Sequence, residues 1–122
     1  SDVVPVVRLV KPCDPLKGDM LLTEVEEALP GIKIIIMGAF LLKSTASQAK
    51  WDALIEGTKA RAKIAERLAQ KHGHIFVDLQ ARFDEAVAKT PEPYWTKEGV
   101  HPTEAGHELI KRAWLEAFEK IK

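Results

Sequence analysis

The chain has 122 residues, a length that fits one globular domain built around one core. Its 18 basic and 18 acidic side chains cancel, so no net field attracts a nucleic acid or an anionic membrane, and neither partner is predicted. The single cysteine, Cys13, excludes an internal disulfide, and no apolar run is long enough to span a membrane. We expect a soluble, cytoplasmic protein, although a mature secreted form would have the same composition.

Residues 1–15 predict an atypical extended segment at the start of a single domain, 1–122. Residues 2–10 are rich in the β-branched side chains of strands, but Pro5 lacks a backbone donor and favours a sheet edge or an irregular extension. Two prolines flank Cys13, and this pattern predicts a rigid loop.

The middle of the chain predicts two helix–strand pairs. A short helix from about Leu16 to Leu29 precedes Lys33–Met37, whose successive apolar residues favour a parallel strand that is covered on both faces. A longer helix over residues 47–72 ends at Gly73, and residues 74–79 predict a second buried strand. The apolar stripe predicted for the longer helix contains Trp51, Leu54, Ile55, Thr58, Ala62, Ala65, Leu68 and Ala69.

Two further helices are predicted near the carboxyl end. The first covers residues 81–89, and the second starts with Pro102 in its first turn and runs to about Ile121. This alternation of helices and strands is typical of an α/β fold with a parallel sheet between two helical layers, where sites form at the carboxyl ends of the strands. Two strong strands and one doubtful strand make a thin sheet, and an open edge favours a homo-oligomer or a strand swap.

Glu98 and His101 are the best candidates for acid–base chemistry. They lie three residues apart across Gly99, in a segment whose glycine and proline content predicts a turn. Histidine titrates near neutral pH, and a carboxylate on its Nδ1 atom fixes the tautomer and stabilises the imidazolium. Spacing alone favours a solvated acid at position 98 and a helix cap at position 101, because such pairs are common by chance.

The run Trp95–Thr–Lys–Glu–Gly–Val–His–Pro–Thr–Glu–Ala–Gly–His107 decides between these interpretations. It resembles the last conserved block of the SGNH hydrolases, also called GDSL-type lipases and esterases. The resemblance extends over roughly residues 21–121. It implies a flavodoxin-like, three-layer α/β/α sandwich with a five-stranded parallel sheet, of which this chain carries the carboxyl-terminal portion and lacks the amino-terminal part.

The same resemblance implies ester hydrolysis by a serine nucleophile, with a small-molecule ester as substrate. His101 would act as base and then as acid, and Glu98 would orient it in the place where the family usually has aspartate. The longer Glu side chain can approach the imidazole from a different angle than Asp does, or leave the imidazole to a backbone carbonyl. No cofactor and no metal are implied.

The nucleophile and the oxyanion residues of the family have no counterpart here. Ser1, Ser44 and Ser47 are the only serines, none lies in a G-D-S block, and the sequence contains no asparagine. Since one oxyanion donor is typically worth about a hundredfold to a thousandfold in turnover, we expect the chain alone to be nearly inactive. The first hypothesis is therefore an ester hydrolase whose nucleophile lies elsewhere. The alternative is a degenerate, non-catalytic member that acts in binding or strand-swapped assembly.

Other chemically active residues have weaker patterns. Cys13 has no neighbouring cation in the sequence that would lower its pKa, so packing explains it better than a nucleophilic role. His72, His74 and Asp78 lack the spacing and number of a metal site and are predicted to be a helix end and a strand surface.

Two aromatic residues and one histidine flank the Glu98–His101 turn. Tyr94 and Trp95 are candidates for the mouth of an acyl or sugar pocket, although at least one of them is expected to wedge the loop against the core. His107 is expected to pack or hydrogen-bond near the start of the last helix.

Overall fold

The computed structural model describes residues 6–8, 15–44 and 48–121. The predictions for Pro5, Cys13 and Ser47 lie outside these residues. The helices and strands, in chain order, are β1 (Val6–Arg8), α1 (Pro15–Ala28), β2 (Ile35–Met37), α2 (Trp51–His72), β3 (Ile75–Val77), α3 (Leu79–Val87) and α4 (Glu104–Glu119). Short 3₁₀ segments precede α2 at Gln48–Lys50 and lie between α3 and α4 at Glu92–Tyr94.

The three strands form one parallel sheet in the order β1-β2-β3. Ile35 lies opposite Val6 on one side and opposite Ile75 on the other, so β2 is the central strand. Within the described residues, β1 and β3 are therefore the edges of the sheet. The parallel arrangement confirms the prediction from the continuous apolar runs.

Both faces of β2 are buried, each under two helices. Ile34 and Ile36 are fully buried in a cluster with Leu22 of α1 and Ala65 of α2. Ile35 faces the other side and packs in a cluster with side chains of α3 and α4, which include Phe83, Ala113 and Ala117. Successive residues point to opposite faces of a strand, so an uninterrupted apolar run is what a central strand between two helical layers requires. The α/β/α arrangement was correctly predicted.

Helix α2 ends as predicted but buries less of its stripe than expected. Gly73 adopts the left-handed conformation, with φ 74°, and its N–H donates to carbonyls of the last turn. Thr58, Ala65, Leu68 and Ala69 are buried. Leu54, in the amino-terminal half of the same stripe, is 44% exposed. Periodicity identified the apolar face correctly, but it did not show that the amino-terminal part of that face is exposed.

The starts of the last two helices differ from the prediction. Helix α3 begins at Leu79 because the Asp78 carboxylate accepts a hydrogen bond from the Ala81 N–H and caps the first turn. Pro102 does not lie in the first turn of α4, which was the prediction. Thr103 is the N-cap of that helix, and Pro102 precedes it in an isolated β-bridge with Thr96. Within the described residues, no helix combines the length and the apolar character needed to cross a membrane.

Candidate active site

The Glu98–His101 turn, which we define as residues 96–102, connects the end of α3 to the start of α4. Its two ends are joined by backbone contacts. The Lys97 N–H donates to the His101 carbonyl at 2.9 Å, and Thr96 and Pro102 form an antiparallel bridge. Gly99, at the tip, has φ 87°, a conformation that glycine adopts without steric cost. This reversal brings residues 98 and 101 onto the same side of the turn.

Glu98 contacts His101 through both the side chain and the backbone. The Oε1 atom of Glu98 lies within hydrogen-bond reach of the imidazole Nδ1, and it also accepts from the His101 backbone N–H at 3.1 Å. The side-chain hydrogen bond with His101 lowers the pKa of Glu98 below its usual value. The extra methylene of glutamate therefore does not prevent contact with Nδ1. The opposite ring nitrogen, Nε2, remains available to a reacting group, because the His101 side chain is 74% exposed.

The loop that leaves β2 supports the tip of this turn. The Leu42 N–H donates to the Gly99 carbonyl at 2.9 Å. A Cβ atom on Gly99 would lie 2.2 Å from the Leu42 carbonyl oxygen and 3.3 Å from the Ser44 Oγ. Glycine is thus required at position 99 for both its φ angle and its close backbone contact. Ser44, the only serine among the described residues, consequently lies beside the candidate acid–base pair.

A buried threonine holds the inside of the turn. Thr96 is fully buried. Its hydroxyl donates to the Glu92 carboxyl group and accepts from the Gly99 N–H at 2.9 Å. The sequence does not point to Thr96 or to Glu92, because neither residue lies in a pattern that distinguishes it from an ordinary loop residue.

The two aromatic candidates have different environments. Trp95 packs against the core cluster of α3 and α4, and its indole N–H donates to the Thr90 carbonyl at 2.9 Å. Tyr94 is 57% exposed and stands edge-on against the Trp95 ring, with 4.9 Å between the ring centroids. The expectation that at least one aromatic residue wedges the loop against the core fits Trp95, and Tyr94 is the one that a ligand could reach.

Thr103 and Gly106 connect the Glu98–His101 turn to the first turn of α4. The Thr103 hydroxyl donates to the Tyr94 carbonyl at 2.6 Å and accepts from the Gly106 N–H at 3.2 Å. A Cβ atom on Gly106 would lie 2.2 Å from the Trp95 carbonyl oxygen, so only glycine allows α4 to start this close to the loop. The two residues join the Glu98–His101 turn rigidly to α4.

His72 and His74 form a polar cluster with α1, away from the turn. The two ring nitrogens of His72 face two acids: Nε2 is 2.6 Å from Asp19 Oδ1, and Nδ1 is 3.0 Å from both carboxylate oxygens of Glu26. The Nε2 atom of His74 is 2.6 Å from Glu26 Oε2, and Lys71 approaches Asp19 at 2.9 Å. The prediction of a strand surface was wrong for His74, whose side chain is only 4% exposed.

The geometry of this cluster assigns protons to both rings. Because carboxylate oxygens face both nitrogens of His72, these contacts favour the imidazolium, in which both nitrogens are donors. Burial lowers the pKa of His72, but hydrogen bonds with Asp19 and Glu26 raise it by a larger amount, so the net shift is upward. The Nδ1 atom of His74 accepts from the Ile34 N–H at 3.4 Å, which leaves Nε2 as the donor to Glu26.

The remaining candidates, Asp78 and His107, belong neither to the Glu98–His101 turn nor to the His72 cluster. Asp78 caps α3. His107 is exposed near the start of α4, where its ring was expected to pack or to form a hydrogen bond. Among the described residues, no group of three or more His, Cys, Asp or Glu side chains is arranged to hold a metal ion.

Comparisons with known proteins agree with the fold and with the block around His101. The profile of the GDSL-like lipase/acylhydrolase family matches residues 17–109, which is most of the chain. The chain belongs to this family. Acetylxylan esterase from Geobacillus stearothermophilus is 32% identical over 104 residues, which cover 80% of this chain and 44% of that relative.

Solved structures of the GDSL-like family have the same fold. A protein of Parabacteroides merdae named after the GDSL-like lipases aligns with a TM-score of 0.76 and 32% identity, over 86% of this chain and 48% of that one. The structure of acetylxylan esterase from G. stearothermophilus aligns with a TM-score of 0.66 and 26% identity, over 83% of this chain and 45% of that one. The chain therefore spans about half the length of these relatives.

Proposed function

We propose that this chain is the carboxyl-terminal, acid–base part of an ester hydrolase. In this role, Nε2 of His101 accepts the proton of an attacking serine hydroxyl and later returns it to the leaving alcohol. Glu98 holds the ring by Nδ1 and stabilises the imidazolium that forms after proton transfer. The observation that carries the proposal is the contact of Glu98 with Nδ1, together with the exposure of the opposite side of the ring.

The acetylxylan esterase structures support this assignment of roles. Three of them are catalytic mutants, in which a serine, an aspartate or a histidine is replaced by alanine. The aspartate precedes the histidine by three positions in that enzyme, which is the spacing of Glu98 and His101. The serine lies near the amino terminus of the relative. By analogy, the nucleophile of this hydrolase comes from polypeptide outside the 122 residues.

The proposed substrates are acetyl esters of carbohydrates. This substrate class is taken from the acetylxylan esterase, which is 32% identical to this chain. Tyr94 offers an exposed ring beside the turn, and an aromatic ring of this kind presents an apolar surface to a sugar and a hydroxyl for a hydrogen bond. Trp95 acts behind it as the residue that fixes the loop to the core.

A first experiment tests whether the nucleophile lies outside the chain. The purified chain is incubated with a fluorophosphonate probe and, separately, with 4-nitrophenyl acetate, and its intact mass is measured. We expect no labelling and no hydrolysis above background. Labelling that disappears in Ser44→Ala would overturn this expectation, because it would make Ser44, the serine beside the Glu98–His101 turn, the nucleophile.

A second experiment tests whether the Glu98–His101 pair is chemically competent. Residues 92–107, which include the Glu92 contact of Thr96, are grafted into the matching block of the G. stearothermophilus acetylxylan esterase, and kcat/KM is measured on 4-nitrophenyl acetate. We expect the graft to retain activity, and His101→Ala within the graft to abolish it. Glu98→Gln should reduce kcat while keeping the same KM, because Gln cannot stabilise an imidazolium by charge. A graft that folds but is no more active than its His101→Ala form would refute the proposed roles.

A non-catalytic assembly module is the second candidate, and the position of β1 favours it. Within the described residues, β1 pairs with β2 on one side only, so its other edge can accept a strand. Sedimentation of the purified chain distinguishes the candidates when combined with the graft. A stable dimer together with an inactive graft would support the assembly module, whereas an active graft would support the hydrolase.

A further inference from the structure

We propose that Thr96 is a positioning residue for the Glu98–His101 pair, and that it acts through the backbone N–H of Gly99. The inference deepens the proposed function and depends on it only for the catalytic meaning of the pair. The contacts of Thr96 exist in the chain itself, so they can be tested without substrate and without a nucleophile.

The hydroxyl of Thr96 has a defined donor and acceptor direction. It accepts from the Gly99 N–H at 2.9 Å, so its own proton is free to point elsewhere, and it donates this proton to Glu92. Glu92 itself is anchored, because its carbonyl accepts from the N–H groups of Trp95 at 2.8 Å and Thr96 at 3.1 Å. The Glu92 carboxyl group, the Thr96 hydroxyl and the Gly99 N–H thus form a continuous chain of hydrogen bonds.

Gly99 is the part of the turn that sets the relation between the acid and the histidine. It lies between Glu98 and His101, and its backbone makes one hydrogen bond on each side. The carbonyl accepts from the Leu42 N–H at 2.9 Å, and the N–H donates to the Thr96 hydroxyl at 2.9 Å. The second bond is the only one of the two that depends on a side chain, and both Gly99 and Thr96 are buried from water.

Loss of the Thr96 hydroxyl would therefore release the turn at its tip. A buried N–H without an acceptor is unfavourable, so the Gly99 peptide would rotate towards solvent. Glu98 is joined directly to this peptide, and its carboxylate would spend less time on Nδ1 of His101. The backbone hydrogen bond at the base of the turn, from the Lys97 N–H to the His101 carbonyl, does not involve Thr96 side-chain atoms and would remain.

The test uses two substitutions that differ in the hydroxyl. Thr96→Val replaces the hydroxyl with a methyl group of similar size, and Thr96→Ser keeps the hydroxyl and removes the methyl group. The carboxyl carbon of Glu98 is followed by NMR as a function of pH in each purified variant. In the unsubstituted chain, the hydrogen bond with His101 holds the pKa of Glu98 below its usual value of 4.5. We expect this pKa to rise towards the usual value in Thr96→Val and to stay low in Thr96→Ser.

Thr58→Val is the matched control for removing a buried threonine hydroxyl. Thr58 is 4% exposed in α2, and its hydroxyl donates to the Leu54 carbonyl at 2.9 Å, in a different element from the turn. It should leave the titration of Glu98 unchanged. Glu92→Ala is a second test for the case in which Thr96→Val does not fold. It keeps the Thr96 hydroxyl but removes its acceptor, and the pKa of Glu98 should rise by a smaller amount.

The outcomes separate this inference from the proposed function. A folded Thr96→Val variant with an unchanged Glu98 titration would overturn the positioning role. If Thr96→Val does not fold, an unchanged titration in Glu92→Ala would do the same. If Glu98 responds as expected but the grafted esterase is inactive, the positioning role stands and the proposed hydrolase function fails.

Discussion

The His72 cluster predicts a chain that is most stable at mildly acidic pH. His72 is an imidazolium between Asp19 and Glu26, so it joins α1 to the end of α2 by charge as well as by hydrogen bonds. Above its raised pKa, one ring nitrogen loses its proton and presents a lone pair to a carboxylate oxygen. The perturbation that isolates this effect is His72→Gln, which keeps an amide donor of similar size but cannot be charged.

The direction of the pH dependence follows from the shifts of three groups. The folded pKa of His72 is above its ordinary 6.5, so its contribution is complete below pH 6.5 and is lost as the pH rises through the folded pKa. Asp19 and Glu26 behave in the opposite way. Hydrogen bonds with Lys71 and His72 hold the pKa of Asp19 below its ordinary 3.8. Burial raises the pKa of Glu26, but hydrogen bonds with His72 and His74 lower it by more, so it stays below its ordinary 4.5. Both contributions disappear as the pH falls through the folded values. The cluster is complete between pH 4.5 and 6.5.

The size of the effect follows from the burial of the ring. The His72 side chain is 9% exposed, and hydrogen bonds to charged groups contribute about 1.5–3 kcal/mol each. The carboxylates of Asp19 and Glu26 are 28% and 31% exposed, so water can partly replace the ring in the variant. We therefore expect His72→Gln to reduce the free energy of unfolding by about 2–3 kcal/mol at pH 5.5, which lowers Tm by roughly 10 °C in a domain of this size.

Thermal unfolding between pH 5.5 and 9 checks this prediction. The difference in Tm between the unsubstituted chain and His72→Gln should be largest at pH 5.5 and should shrink as the pH increases. His107→Gln is the control, because His107 is exposed on α4 and its replacement should leave the slope unchanged. A His72→Gln variant that loses stability with rising pH as steeply as the unsubstituted chain would refute the assignment of the ring as a charged link.

Three further substitutions test the turn, the cap and the core by urea unfolding. Gly99→Ala should lower the free energy of unfolding by about 2–4 kcal/mol, because a Cβ at φ 87° would meet the Leu42 carbonyl. Gly31→Ala is the control, because Gly31 has φ 83° but open space around it, and it should cost only about 1–2 kcal/mol. Equal losses in the two variants would contradict the role of close contact. Thr103→Ala should cost about 1 kcal/mol through loss of the α4 cap, and the loss should be recovered in Thr103→Ser. Phe83→Ala should cost about 3–5 kcal/mol, because the ring is fully buried between α3, α4 and the sheet, and a loss below about 1 kcal/mol would contradict this packing.

The sequence predicts the parts of this fold that local rules control. The apolar run that ends at Met37 favoured a strand covered on both faces, and Gly73 could end α2 because glycine tolerates φ 74°. Glu98 and His101 were singled out by a local spacing, but a catalytic role was favoured only by the longer run from Trp95 to His107. The start of α4 was missed by two residues, because Pro102 and Thr103 both fit a helix start and only the three-dimensional bridge to Thr96 decides between them.

The parts that were missed depend on distant contacts. His72 and His74 contact Glu26 across 46 and 48 residues of sequence, so no spacing rule connects them, and the prediction of a strand surface followed from local pattern alone. The approach of Leu42 to Gly99 is similarly distant, and it explains a glycine that the sequence could assign only to a generic turn. Exposed positions in the stripe of α2, such as Leu54, show the opposite error, because periodicity identifies a face and does not say how much of its length is buried.

The orientation of the candidate pair is separable from its reactivity. The described contacts that fix Glu98 and His101 come from Leu42 and from the segment between Glu92 and His101, all within this chain. The exposed ring of His101, by contrast, turns Nε2 away from Glu98, towards the side where the proposed function places the nucleophile. Substitutions at Thr96 and Gly99 should therefore act on a pair that is already assembled before any nucleophile arrives. For that reason, the pKa of Glu98 reports whether the pair is assembled, and the activity of the grafted esterase reports whether His101 can act as the proposed base.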